Sequence, residues 1–159
     1  MRIPVALTVV VLALVIAYVL SYRRPRVGLE ILQTNLEDFR FDMLLAHQPV
    51  LVAEPVARLD DVLNAWFRRW NWVGATVPGQ GASRLRNASK FLVVHAAGAN
   101  TKVAVELTNP AHPDTVLRVL LPPDALLLAP YLWDVAFPDG GVTLTPVDDG
   151  VTRLLRFLG

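Results

Sequence analysis

The sequence predicts a mainly β protein, with an N-terminal transmembrane helix followed by an antiparallel meander or jelly roll that carries one or two short helices. Three observations predict it. Residues 3–22 hold no charge, the chain beyond Trp70 breaks into short apolar or alternating runs, and turn-forming clusters separate those runs at short intervals. We divide the chain into residues 1–26, an anchor with a basic stop, and residues 27–159, a β-rich domain.

The uncharged stretch from Ile3 to Tyr22, through Leu12, is about 20 residues long, and at a rise of about 1.5 Å each it crosses the roughly 30 Å hydrocarbon layer. Tyr18 and Tyr22 fall at its C-terminal end, where amphipathic rings favour the membrane interface, and Pro4 falls in the first turn, where a missing N–H is tolerated. Arg23, Arg24 and Arg26 follow, outweighing Arg2 and the terminal amine, so the positive-inside rule puts the C-terminal domain in the cytosol. The rival is a cleaved secretory signal, but the run is long and no small-x-small site precedes Arg23. Asn87-Ala88-Ser89 is a glycosylation sequon, expected to stay bare in a cytosolic domain.

Past Pro25 we expect a strand over Val27–Leu32, then a helical turn capped by Asn35 and running through Phe39 toward Leu45. Pro49 to Ala53 reads as a buried strand closed by Pro55. The clearest helix follows. Leu59, Val62, Leu63, Trp66 and Phe67 share one face, with Asp60 and Asp61 at the start and Arg68 and Arg69 at the end, matching the helix dipole. Further strands are expected over Trp70–Val77, Lys90–Ala96, Lys102–Thr108, Val116–Leu121, Leu126–Ala129, Trp133–Phe137 and Val142–Pro146, separated by turns such as Pro122-Pro123-Asp124 and Pro138-Asp139-Gly140-Gly141.

Composition narrows the chemistry. There is no cysteine, which excludes disulfides, thiolate nucleophiles and Cys-ligated metal sites. The net charge is +1 with no long basic run in the domain, so no nucleic-acid footprint is evident. His47, His95 and His112 are isolated from one another and from carboxylates, so we assign no metal ligand, cofactor or catalytic residue. The pairs Glu37-Asp38, Asp60-Asp61 and Asp148-Asp149 read as caps and turns, because adjacent side chains diverge. Arg84, Arg86 and Lys90 read as a solvated basic loop, and Pro78-Gly79-Gln80-Gly81 lacks the Lys of a phosphate-binding loop. Among the aromatic residues Trp70, Trp72, Tyr131 and Trp133 are candidate partner contacts, with core packing as the competing role.

The stretch Leu120 to Asp134, with its Pro-Pro-Asp turn, apolar run, Pro130 and Tyr131-Leu132-Trp133, resembles the late strands of cupin and JmjC-type jelly rolls. In those proteins a metal-binding His follows, and the corresponding place here is Asp134. Phe41 to Val56, with Gln48-Pro49-Val50-Leu51-Val52, is similar to their entry strand, but no His-x-Asp or His-x-Glu lies in the middle strands, so the iron triad is not carried over. The whole layout resembles membrane-anchored, cupin-like jelly-roll proteins of nucleocytoplasmic large DNA viruses. The shared features are the anchor, Ile31 to Leu36, Leu44 to Val50, Asn87 to Val94 and the Leu-Pro-Pro-Asp stretch through Trp133. That resemblance implies a virion-associated membrane protein, a minor capsid or assembly component, with no established activity to carry over; the topology and the missing catalytic groups add the expectation of a non-enzymatic module that links an internal membrane to other coat or membrane proteins. An iron- and 2-oxoglutarate-dependent oxygenase or its inactive relic is the alternative, and a cellular membrane adaptor with a ligand pocket in its barrel is a third reading.

Overall fold

The computed structural model describes residues 3–23, 28–67, 71–81 and 84–158. Helix α1 (Ile3–Arg23) contains the 18-residue window Pro4–Ser21, none of it buried, and is long and apolar enough to cross a membrane. Its many β-branched residues are only moderate helix formers in water, whereas in lipid a helix satisfies every backbone group internally. Two of its hydroxyls are also satisfied within the helix, Thr8 Oγ1 donating to the Pro4 carbonyl and Ser21 Oγ to the Tyr18 carbonyl, both at 2.8 Å. The side chains of Ile3, Tyr22 and Arg23, and all of Arg24 and Arg26, lie outside the described residues, as does Trp70.

The domain is mainly β, with eleven strands in two sheets among the described residues. In chain order they are β1 (Leu32–Thr34), β2 (Val50–Val52), β3 (Trp72–Val73), β4 (Val77–Pro78), β5 (Arg84–Arg86), β6 (Phe91–His95), β7 (Val103–Thr108), β8 (Val116–Leu121), β9 (Leu126–Pro130), β10 (Asp134–Ala136) and β11 (Thr143–Asp148). Helices α2 (Phe41–Leu45) and α3 (Leu59–Phe67) lie before β3, and α4 (Gly150–Leu158) follows β11. The larger sheet has the order β1-β2-β9-β6-β11-β3, with β4 also on β11, and the smaller has β5-β10-β7-β8. From β4 onward the pairing is nested and antiparallel: β4 with β11, β5 with β10, β6 with β9, β7 with β8.

Burial explains why the central strands read as unbroken apolar runs. On β6, Leu92 and Val94 face the smaller sheet, packing with Val105 and Leu107 of β7, Leu121 of β8 and Val135 of β10. Phe91 and Val93 face the other way, where Leu44 of α2 and Leu63 and Phe67 of α3 cover Val50, Val52, Leu126 and Leu128. Strands β6 and β9 are thus buried on both faces and need no polar alternation. Residues 35–49, with α2, make the crossover that the parallel β1–β2 pair requires.

Several expectations need correction. The entry strand is Leu32–Thr34 rather than Val27–Leu32, because its partner Val50–Val52 sets the register. Asn35 caps no helix; α2 begins after Arg40, and Leu36–Asp38 is a turn whose Leu36 N–H donates to Glu54 Oε2 at 2.9 Å. Of the strand expected over Trp70–Val77, the described part is two short strands on β11, separated at Gly74, whose N–H donates to the Pro146 carbonyl at 2.8 Å. A Cβ there would come within 2.7 Å of Pro146 Cγ, so the close approach requires glycine. Arg84–Arg86 is an edge strand, not a loop, and the Asp148-Asp149 pair, read as a cap or turn, precedes a helix, α4, that the sequence reading does not include.

Helix α4 starts with a reciprocal cap. Asp149 Oδ1 accepts the N–H groups of Val151 and Thr152 at 3.1 and 2.9 Å, and Thr152 Oγ1 accepts the Asp149 N–H at 3.0 Å. Thr152→Val should cost about 1 kcal/mol in urea unfolding of the detergent-solubilised chain, since it strands the buried Asp149 N–H while keeping the shape.

Candidate interaction site where α1 meets the β domain

The most connected polar cluster joins the end of α1 to the β domain. Tyr18 Oη donates to Asp149 Oδ2 at 2.9 Å, and Lys90 Nζ lies 2.9 Å from the same oxygen. The ammonium also donates to Asn71 Oδ1 at 3.2 Å. One carboxylate therefore does two jobs, its Oδ1 capping α4 and its Oδ2 receiving Tyr18 of α1 and the lysine. Next to it, Asp148 takes both oxygens to Arg156 Nη2 at 3.0 and 2.9 Å and accepts the Lys90 N–H at 3.3 Å. Burial of Asp149 works to raise its pKa, but the Thr152 N–H, Lys90 and Tyr18 together outweigh it and hold the carboxyl below the ordinary 3.8.

Beside the cluster is a cavity of about 80 Å³ lined by Tyr18, Ser21, Leu44, Leu45, His47, Lys90, Phe91, Pro130 and Tyr131. It has room for a few waters and falls well short of the roughly 300 Å³ at which small-molecule sites begin. A second, wide-open hollow lies at the start of α3, where His95 Nε2 sits 3.1 Å from the Val56 carbonyl and Arg58 pairs with Asp61 at 2.9 Å. Strand β6 connects the two, running about 13 Å from Phe91 at the junction to His95 at the far end.

Asp134, at the place where the resembled jelly rolls carry a metal-binding His, sits opposite Arg86 and bonds it at 3.0 Å. The Arg86 guanidinium is pushed further up by that hydrogen bond and charge. Glu106 lies between the core residues Val105 and Leu107 and so shares the outer face of the smaller sheet with Asp134, whereas His95 lies on the helix-covered face of the larger. Apolar side chains of both sheets fill the space between, so these three residues do not converge on one site.

Of the aromatic candidates, Trp72 is half-exposed and Tyr131 is half-buried on the junction cavity. Trp133 needs correction as a partner contact, because it is buried between the sheets. Sequence reasoning missed Lys90 as a junction residue and α4 altogether. The second had a signal in Asp149-x-x-Thr152, while the contact between Tyr18 and Asp149 spans 131 positions and had none.

Asn87 is also placed differently from an accessible glycan acceptor. Its side-chain nitrogen donates to the carbonyls of Ala129 and Pro130 at 3.0 and 2.9 Å, and its Oδ1 accepts the Ser89 N–H at 2.9 Å. In the folded domain that amide is engaged and buried.

The chain matches no protein-family model and no curated protein.

Proposed function

We propose that this chain is a membrane-tethered structural module without catalytic function, whose jelly-roll domain meets coat proteins on the cytosolic side of an internal viral membrane. The observation that carries the tether is the bond from Tyr18 to Asp149, because a helix destined for removal has no reason to complete a charged cluster in the mature domain. The jelly-roll reading is supported by the nested pairing β4·β11, β5·β10, β6·β9 and β7·β8, which is how one long antiparallel ribbon rolls into two facing sheets. A structural role is supported by the interior, which apolar side chains, Trp133 and Phe137 among them, fill between the sheets. The viral setting rests on the resemblance in the anchor, entry segment and Leu-Pro-Pro-Asp stretch.

Alkaline carbonate washing should leave the intact chain in the membrane pellet, with an N-terminus upstream of Tyr22. Release into the supernatant, or a mature form starting beyond Tyr22, overturns the tether. In purified particles of the parent virus, proteomics and cryo-electron microscopy should find the chain between membrane and capsid. Its absence there overturns the virion role. Orientation is read with Leu120→Cys, an exposed position in a chain without cysteine, which an impermeant maleimide should label only from the cytosolic side.

A further inference from the structure

We infer that the junction end of the domain, led by α4, is a lipid-contacting surface that lies on the same bilayer that α1 crosses. This rests on the proposed tether and adds a second membrane contact to it. Tyr18 sits about one and a half turns before the end of α1, at the depth where a spanning helix meets the headgroups, and its hydroxyl is bonded to the residue that caps α4. The start of α4 is therefore held at the interface by geometry.

The rest of the helix stays at that end of the sandwich. Arg156 reaches Ser89 Oγ at 3.2 Å just before β6 begins, and Arg153 lies 4.5 Å over the ring of Trp72, which pairs with Asp148 at the end of β11. At 100° per residue the apolar arc of α4 runs from Phe157 through Leu154 to Val151 and Leu155. Only part of this arc meets the domain: Leu155 is buried, whereas Leu154 is 50% exposed and Phe157 89%. Trp72, 50% exposed, and Leu45, 68% exposed and lining the Tyr18 cavity, extend the same apolar end.

A bilayer interface explains each of these features. A short amphipathic helix gains by burying such an arc at the headgroup boundary, aromatic rings are favoured at that depth, and Arg153, which flanks the arc over the Trp72 ring, suits the phosphate layer, while Arg156 is engaged with Asp148. A protein partner would have to share the space with the membrane that the Tyr18 contact already brings to this end.

The absence of native cysteine makes the test direct. Single variants Phe157→Cys, Leu120→Cys and Leu12→Cys of the full chain, each carrying a bimane fluorophore, are reconstituted in phosphatidylcholine vesicles with and without brominated acyl chains. Leu12 lies mid-span, and Leu120 is exposed on the outer face of the smaller sheet. Bromolipid should quench the label at position 157 several-fold more than the label at 120, approaching the quenching at position 12. Strong quenching at 12 with equal, weak quenching at 157 and 120 overturns this inference and leaves the tether standing. No quenching at 12 overturns both. Phe157 is largely exposed, so its replacement does not threaten the fold, and far-ultraviolet circular dichroism of each variant confirms that before quenching is compared.

Discussion

Asn87→Ala should destabilise the domain by about 3 kcal/mol, because the side chain closes three buried hydrogen bonds that nothing else in its loop can replace. The backbone of the same residue adds two more, its N–H donating to the Trp133 carbonyl at 2.9 Å and its carbonyl accepting the Leu132 N–H at 2.8 Å. Between them lies Leu132, held at φ 67, a left-handed conformation that a branched side chain adopts only at a cost of about 1 kcal/mol or more. Asn87 is thus the clamp that holds the turn from β9 to β10 and, through it, sets Trp133 into the core. With alanine, the carbonyls of Ala129 and Pro130 lose donors and Ser89 loses an acceptor. Asn87→Asp should be worse than alanine near neutral pH, since a carboxylate would face both carbonyls at about 3 Å. Urea unfolding of the full chain in detergent gives both values, and an aspartate variant milder than alanine would refute the donor role.

How much of the fold was legible in the sequence depends on whether the determining contact is local. Helix α3 could be read because Leu63 and Phe67 lie four apart and Asp60 and Asp61 open its first turn, all within nine residues. Strand β8 could be read to its ends because its flanking turns are rich in proline and polar residues, and β6 and β9 because double burial left continuous apolar runs. Strand β5 could not. Arg84-Leu85-Arg86 is exposed throughout and becomes a strand only because β10 offers an edge to pair with, 48 residues away. The parallel register of Leu32 with Val50 is likewise a tertiary choice, and it moved the entry strand toward the C-terminus. Trp133 shows the limit for single side chains: a tryptophan between a turn and a strand suits a surface or a core equally, and the Asn87 clamp decides it. The junction was least legible, since Tyr18, Lys90 and Asp149 come from three distant segments.

Removing the lysine from that junction should be the other large effect. In Lys90→Met the methylene stem is retained in size, but Asp149 keeps its charge in a site where the pair's side chains are only 15% and 12% exposed. Breaking a buried pair costs about 3–5 kcal/mol, and the cap bonds and Tyr18 that remain on Asp149 reduce the expectation here to about 2–3 kcal/mol. Adding Asp149→Asn should recover much of this loss, because asparagine is a good helix cap and leaves no stranded charge. The same carboxylate sets a pH signature. Its folded pKa lies below the ordinary 3.8, so its contribution is fully present above that value and disappears as the pH falls through the lower folded value. The melting temperature of Asp149→Asn should therefore fall less steeply than that of the parent chain as the solution is acidified below about pH 4. Identical slopes would mean that Asp149 is not the group that binds α1 and α4 to the β domain. A Lys90→Met variant as stable as the parent would show that the ion pair contributes nothing beyond the cap.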